Sequence, residues 1–176
     1  MVFRAVYTIG HSTRPVAELL DLLREHGIET LVDVRTVPRS RHNPQFDQVA
    51  LACSLEAAGI EYVHEKALGG LRHARPDSVN LGWRNVSFRG YADYMQTDAF
   101  ARALAALERL ADRRATAIMC AEAVPWRCHR TLIADALTVG GRPVLHILGP
   151  GAPPTPHRLT PFMRTVEGRP VYPPPD

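Results

Sequence analysis

Short runs of apolar residues alternate with longer stretches of helical spacing over most of the chain. Residues 3 to 9, rich in β-formers, predict a buried strand that ends at the turn signal Gly10-His11-Ser12. Thr13 and Pro15 mark a helix start, Val16, Leu19, Leu20 and Leu23 supply its apolar face, and Gly27 stops it. Leu31 to Val34 predict a second strand, followed by a polar, arginine-rich loop from Arg35 to Phe46. Asp47 can cap the next helix, with Val49, Ala52, Leu55 and Ala58 on one side and Cys53 expected in the core. Gly59 ends it, and Ile60 to Val63 predict a third strand.

Residues 64 to 90 lack periodicity and are expected to form a lid, a ligand-binding loop or a surface excursion. Tyr91, Tyr94 and Met95 suggest a helical turn, and Asp98 opens a clear helix carrying Phe100, Leu104, Leu107 and Ala111. Residues 115 to 120 are apolar without alternation, as expected at the centre of a parallel sheet. Pro125 suits a helix's first position, Gly140-Gly141 ends that helix, and residues 143 to 148 predict a fifth strand. The remainder holds nine of the fifteen prolines and is expected to lack regular structure, anchored by Phe162 and Tyr172 or partly disordered. The alternation implies an α/β fold: a three-layer Rossmann-like domain over residues 1–148, with a mostly parallel sheet of about five strands, and a proline-rich tail over 149–176.

Composition narrows the setting. Hydrophobic residues at 45% and charged residues at 22% are ordinary for a globular protein. No apolar run approaches the ~20 residues of a membrane span, and Arg4 interrupts the first apolar run before it can resemble a secretory signal. A cytoplasmic protein with reduced thiols is expected. The net charge of +3 is mild, but it rests on 20 arginines and one lysine, Lys66. Arginine grips carboxylates and phosphates through paired hydrogen bonds, so this surface suits an anionic partner; a bias toward arginine codons gives the same count.

In parallel sheets ligands bind outside the carboxyl ends of the strands. His11 and Ser12, Asp33 and Arg35, and Cys120 and Glu122 should therefore gather on one edge although far apart in sequence. The segment from Cys120 to Arg130 is the strongest signal, because Arg127, His129 and Arg130 place positive charge near a helix N-terminus, against the helix dipole. A bound anion would relieve that conflict, and so would internal salt bridges to Glu122. Cys128 beside these cations should ionise easily. Cys120 and Cys128 then read as nucleophilic or redox thiols with His11 or His129 as base, or as small packing residues. Their spacing matches no short zinc pattern, and no metal or other cofactor is assigned. Arg35, Arg39 and Arg41 after the second strand, with Arg72 in the long loop, could clamp an anion or follow a nucleic-acid backbone.

Together, Thr8 to Ser12, Asp33-Val-Arg35 with Pro38 and Ser40, Gly69-Gly70, Tyr91 to Met95, and Cys120-Ala-Glu122 followed by Cys128-His-Arg130 resemble a bacterial domain-of-unknown-function family, number 488. The resemblance runs from residue 7 to about residue 148; it implies this fold class and a shared site, and brings no reaction. A looser likeness joins Leu31 to Arg35 to the Asp-x-Arg strand of rhodaneses, and Cys120 at a strand end to the nucleophile of rhodaneses and cysteine phosphatases. The run from Cys120 to Arg127 departs from a phosphatase loop by one extra residue and by Glu122 and Pro125 within it.

Three functions follow. The first is an enzyme for a phosphorylated or nucleotide-like ligand, using Glu122 or His129 as acid and base. The second is a nucleic-acid module built on loops 35–41 and 72–89 with Trp83, Phe88 and Tyr91. The third is thiol chemistry at Cys120 or Cys128.

Overall fold

The structure, a computed structural model, describes residues 2–176. Five parallel strands lie where the apolar runs place them: β1 (Val6–Gly10), β2 (Thr30–Asp33), β3 (Glu61–His64), β4 (Thr116–Cys120) and β5 (Val144–Ile147). A two-residue strand, β6 (Thr155–Pro156), adds antiparallel to β5, giving the order β3-β2-β4-β1-β5-β6. The helices are α1 (Val16–Glu25), α2 (Gln48–Ala57), α3 (Val86–Tyr94), α4 (Asp98–Arg113) and α5 (Arg130–Val139).

Successive strand residues point to opposite faces, which splits the core into two layers. Ile9, Leu31, Met119 and Ile147 pack with Leu19, Leu22 and Leu23 of α1 and with Leu51 and Leu55 of α2. Val6, Val32, Ile118, Cys120 and Val144 pack with α3, α4 and α5. The result is a helix–sheet–helix sandwich of the expected class. No helix among the described residues is long and apolar enough to cross a membrane.

The order of the strands positions the site. β1 and β2 lead to α1 and α2 on one face, whereas β4, between them, leads to α5 on the other. Neighbouring chains diverge at the C-terminal end of β4, leaving the crevice that open parallel sheets use for ligands. β1 and β4 stay bonded as they leave the sheet: His11 N donates to Cys120 O (3.0 Å) and Ser12 N to Ala121 O (2.9 Å). A Cβ at Gly10 would lie 1.6 Å from the Glu122 carbonyl oxygen, so only glycine lets the two exits cross so closely.

Several local expectations are corrected. The buried face of α2 is Leu51 and Leu55, with Val49 and Cys53 exposed, because this helix packs through a narrow seam. Asp47 occupies its N-cap position but accepts from Ser40 N (2.7 Å) instead of capping the helix. Pro125 opens a separate 3₁₀ turn (Pro125–Arg127), and α5 begins only at Arg130. The helix suggested at Tyr91 begins earlier, at Val86, where Asn85 Oδ1 accepts from Ser87 N and Phe88 N. The proline-rich segment is partly regular: besides β6 it forms a hairpin of β7 (Arg164–Val166) and β8 (Arg169–Val171). Glu167 and Gly168, with φ of 50° and 76°, supply the tight turn, whose positive angles suit the twist of two strands.

Candidate functional site

A cleft of about 480 Å³ opens at the C-terminal end of β4. Its floor is Cys120 and Cys128, and His129 stands beside them. Arg35 and Arg39 enter from the loop after β2, Glu122 and Arg127 from the β4–α5 connection, and Phe88 from α3. Seven residues proposed from the sequence, Cys120 among them, therefore share one cavity. His11, Ser12, Arg41, Arg72 and Arg130 do not line it.

The two cysteines are in contact. Cys128 Sγ lies 2.6 Å from Cys120 Sγ, and both residues are buried. Arg130 runs beneath them, fully buried, with Nε donating to Cys120 Sγ (3.0 Å) and its backbone N–H facing Cys128 Sγ (3.4 Å). Its Nη1 and Nη2 donate to Thr8 Oγ1 (2.9 Å) and Glu122 O (2.7 Å). Arg130 makes no ion pair with a carboxylate among the described residues. The Glu122 side chain is exposed; only its carbonyl reaches the guanidinium. Of the two reliefs of charge considered for this helix end, salt bridges from Arg130 to Glu122 do not form: the cation turns inward, toward sulfur.

A buried cation without a countercharge is costly, by several kcal/mol after relaxation. The sulfur pair can supply that charge. Burial pushes the Cys128 thiol up, but the Cys120 hydrogen bond and the Arg130 charge and N–H groups outweigh it and bring it down to about 7. Burial, together with the hydrogen bond to Cys128, holds the Cys120 thiol well above its ordinary range. The pair thus loses one proton readily and keeps the other, as two interacting groups must.

His129 is placed to handle that proton. The Val34 carbonyl can only accept, so His129 Nε2 carries the hydrogen (2.9 Å) and Nδ1 is left as an acceptor 3.4 Å from Cys128 Sγ. Burial lowers its pKa and keeps the ring neutral. Gly70 allows the long loop to close over this ring: a Cβ there would approach Nδ1 to 2.8 Å.

His11 belongs to a neighbouring assembly on the α1–α2 face. Asp33 holds Arg35 through two bonds, Nε–Oδ1 (2.9 Å) and Nη2–Oδ2 (2.8 Å), and Tyr62 OH donates to the same carboxylate (2.7 Å). Arg35 Nη1 donates to His11 Nε2 (3.3 Å), which leaves the hydrogen on Nδ1, bonded to Ser12 O (2.8 Å). The ring is stacked on Phe46, and burial lowers its pKa. Both nitrogens are occupied, so His11 has no lone pair for the cysteines and its expected role as their base is not supported by this geometry. Ser12 makes the turn, with φ of 48°. Arg72 lies over the Tyr94 ring (3.7 Å) and bonds to carbonyls of Lys66, Ala67 and Gly69. Arg41 is exposed outside the cleft.

The sequence reading named Phe88 as a loop aromatic for nucleic acid and not as a wall of this cleft; Asn85, a strong N-cap residue, was the available signal for the helix that carries it. It also missed a buried relay. Thr8 Oγ1 bonds His146 Nδ1 (2.6 Å), His146 Nε2 bonds His157 Nδ1 (2.9 Å), and His157 Nε2 bonds Asp135 Oδ1 (2.7 Å). Arg130 donates to Thr8 at one end and Asp135 accepts from His157 at the other, so the relay joins the buried cation to a buried carboxylate.

Among the described residues, no three His, Cys, Asp or Glu side chains gather as metal ligands. No curated protein and no solved structure matches the chain. The family described as "Domain of unknown function DUF488" matches residues 15–137, a span that takes in the β2 loop, the long loop over His129 and the whole cysteine floor; the chain belongs to that family.

Proposed function

We propose that the cleft is the site of a cysteine-dependent enzyme, in which Cys128 is the nucleophile and the substrate is a small anion. The observation that carries this reading is the fully buried Arg130 guanidinium, whose donors meet sulfur and neutral oxygens and no carboxylate. Such a cation favours thiolate over thiol at neutral pH, and thiolate is the reactive form. His129 Nδ1 accepts the Cys128 proton and returns it to a leaving group. Arg39 and Arg127 are exposed at the cleft wall, and neither side chain has an ion pair among the described residues. They supply the attraction for an anion. Arg35, fastened to Asp33, contributes fixed positive charge.

A nucleic-acid module receives less support. Arg72, Arg75 and Arg89 of the long loop are engaged within the chain, by Tyr94, Asp77 and the Trp83 carbonyl respectively. Trp83 packs against Phe88, Phe162 and Tyr172 and is half-buried among them.

The test is alkylation of the reduced protein with iodoacetamide and with iodoacetate, followed across pH and mapped by peptide mass. Cys128 is expected to react with a midpoint near pH 7, whereas exposed Cys53 serves as the internal standard. Relative to Cys53, Cys128 should prefer the anionic reagent, and the preference should fade when Arg39 and Arg127 are both replaced by alanine. A Cys128 that reacts only with the ordinary midpoint of ~8.5, or not at all, overturns the reading.

A further inference from the structure

We propose that Cys120 is the resolving thiol of a dithiol–disulfide couple with Cys128, and that the cleft exchanges electrons with an anionic low-molecular-mass disulfide. This inference rests on the reading of Cys128 as nucleophile and goes beyond it. Nucleophilic catalysis needs one cysteine. The structure provides two, with sulfurs 2.6 Å apart on the floor of one cleft. A covalent S–S bond is about 2.05 Å, so bonding needs a movement of about half an ångström. The two sites are eight residues apart, one at the end of β4 and one just before α5, with a 3₁₀ turn between them to absorb that movement. Cys128 accepts the Arg130 backbone N–H and Cys120 the guanidinium Nε, so either sulfur can carry negative charge as the reaction proceeds.

The electrons balance in two steps. The Cys128 thiolate attacks one sulfur of the substrate disulfide; a mixed disulfide forms, the substrate S–S bond breaks, and the first thiolate leaves with the bonding pair. Cys120 gives up its proton and attacks Cys128 Sγ; the protein disulfide forms, and the second substrate thiolate leaves and takes a proton. Two protein thiols are oxidised, one substrate disulfide is reduced to two thiols, and no further oxidant is needed. Exchange of this type runs equally in reverse. Oxidation removes the negative partner of Arg130, which stabilises the reduced pair; the oxidised pair is therefore a ready acceptor of electrons from thiols.

Arg39 and Arg127 on the wall set the charge of the substrate. Cys53 lies on α2, remote from the cleft, so Cys53→Ser removes an irrelevant thiol. The experiment treats this full-length variant, reduced, with excess oxidised glutathione or with cystamine, a cationic disulfide, and blocks remaining thiols with a maleimide before mass analysis. The inference expects a protein that has lost two hydrogens, accepts no maleimide and carries no glutathione, with Cys120 and Cys128 joined in one peptide pair. Adding Cys120→Ser should trap one glutathione on Cys128. Oxidised glutathione should act about tenfold faster than cystamine at low salt, and this ratio should fall on adding salt. A wild-type Cys120 that leaves glutathione stably on Cys128 overturns the couple while leaving Cys128 as nucleophile. A preference for cystamine overturns the anionic substrate. If neither sulfur reacts, the inference and the proposed function fall together.

Discussion

At the residue scale, the centre of the molecule is an arginine whose burial the sequence does not disclose. Arg130 stands in a motif, Cys128-His-Arg130, that marks the site plainly. Its position beside a helix N-terminus suggested a cation waiting for a ligand. The side chain instead runs inward to Cys120, Thr8 and the Glu122 carbonyl, because the next strand and the sulfur floor offer acceptors there. Direction of this kind depends on a tertiary neighbour and leaves no trace in local spacing. Arg130→Gln removes the charge but keeps a polar side chain, and two outcomes are expected. The Cys128 midpoint should rise from about 7 toward that of an ordinary thiol, as read by alkylation. Stability should fall by about 1–3 kcal/mol as buried acceptors lose partners, as read by chemical denaturation. Gly10 gives a second residue-scale prediction. Gly10→Ala drives a Cβ into the Glu122 carbonyl, which is backbone and cannot rotate away. The loss should reach about 3 kcal/mol or more in thermal or denaturant melts; a neutral variant would mean the β1 and β4 exits are looser than described.

At the element scale, the strands and the long helices were readable because burial imposes a period. α4 shows this best: Phe100, Ala103, Leu107 and Ala111 form its buried face. α2 was readable as a helix but not in its orientation, since its apolar residues are spread around the axis and Leu51 and Leu55 alone meet the sheet. Cys53 was misassigned for that reason. The last 28 residues were the least legible, as their order comes from polar contacts with α5 and not from their own pattern. Asp135, buried in α5, accepts from His157 Nε2, Thr160 N, Thr160 Oγ1 and Tyr172 OH, and so ties the tail to the helix that carries Arg130. Asp135→Ala leaves these donors without partners. It should cost about 3–5 kcal/mol and speed amide exchange in residues 155–172 more than in α4. Equal protection in both variants would show that the tail is held by packing of Tyr172 and Phe162 instead.

At the scale of the whole molecule, one topological fact was accessible from the sequence and does most to define the site: parallel strands bring their carboxyl ends to one rim. Cys120, Glu122, Arg35, Arg39, Arg127, Cys128 and His129 meet there as the strand order requires. The sequence could not show that His11 turns to the α1–α2 face, with Arg35 bonded to it and to Asp33 while also lining the cleft above the cysteine floor. Both faces bury neutral histidines, and this makes a global prediction. His11, His129 and His146 all have folded-state pKa values below 6.5, His146 at about 3, chiefly from burial. The unfolded chain therefore binds protons that the folded one refuses, so stability rises with pH between about 3 and 6.5 and is lost as pH falls through that window. The acid limb of a melting-temperature profile should be shallower in His146→Gln; an unchanged slope would remove His146 from the linkage.

The central claim is that one thiolate, shared by two sulfurs, is the counter-ion of a buried guanidinium. Its most direct measurement is the ultraviolet absorbance of thiolate during a pH titration of the reduced Cys53→Ser protein. One thiolate per chain is predicted to appear with a midpoint near pH 7, to vanish in Cys128→Ser, and to be followed by no second thiolate until far above the ordinary thiol range. Two thiols titrating together near ~8.5 would contradict the account.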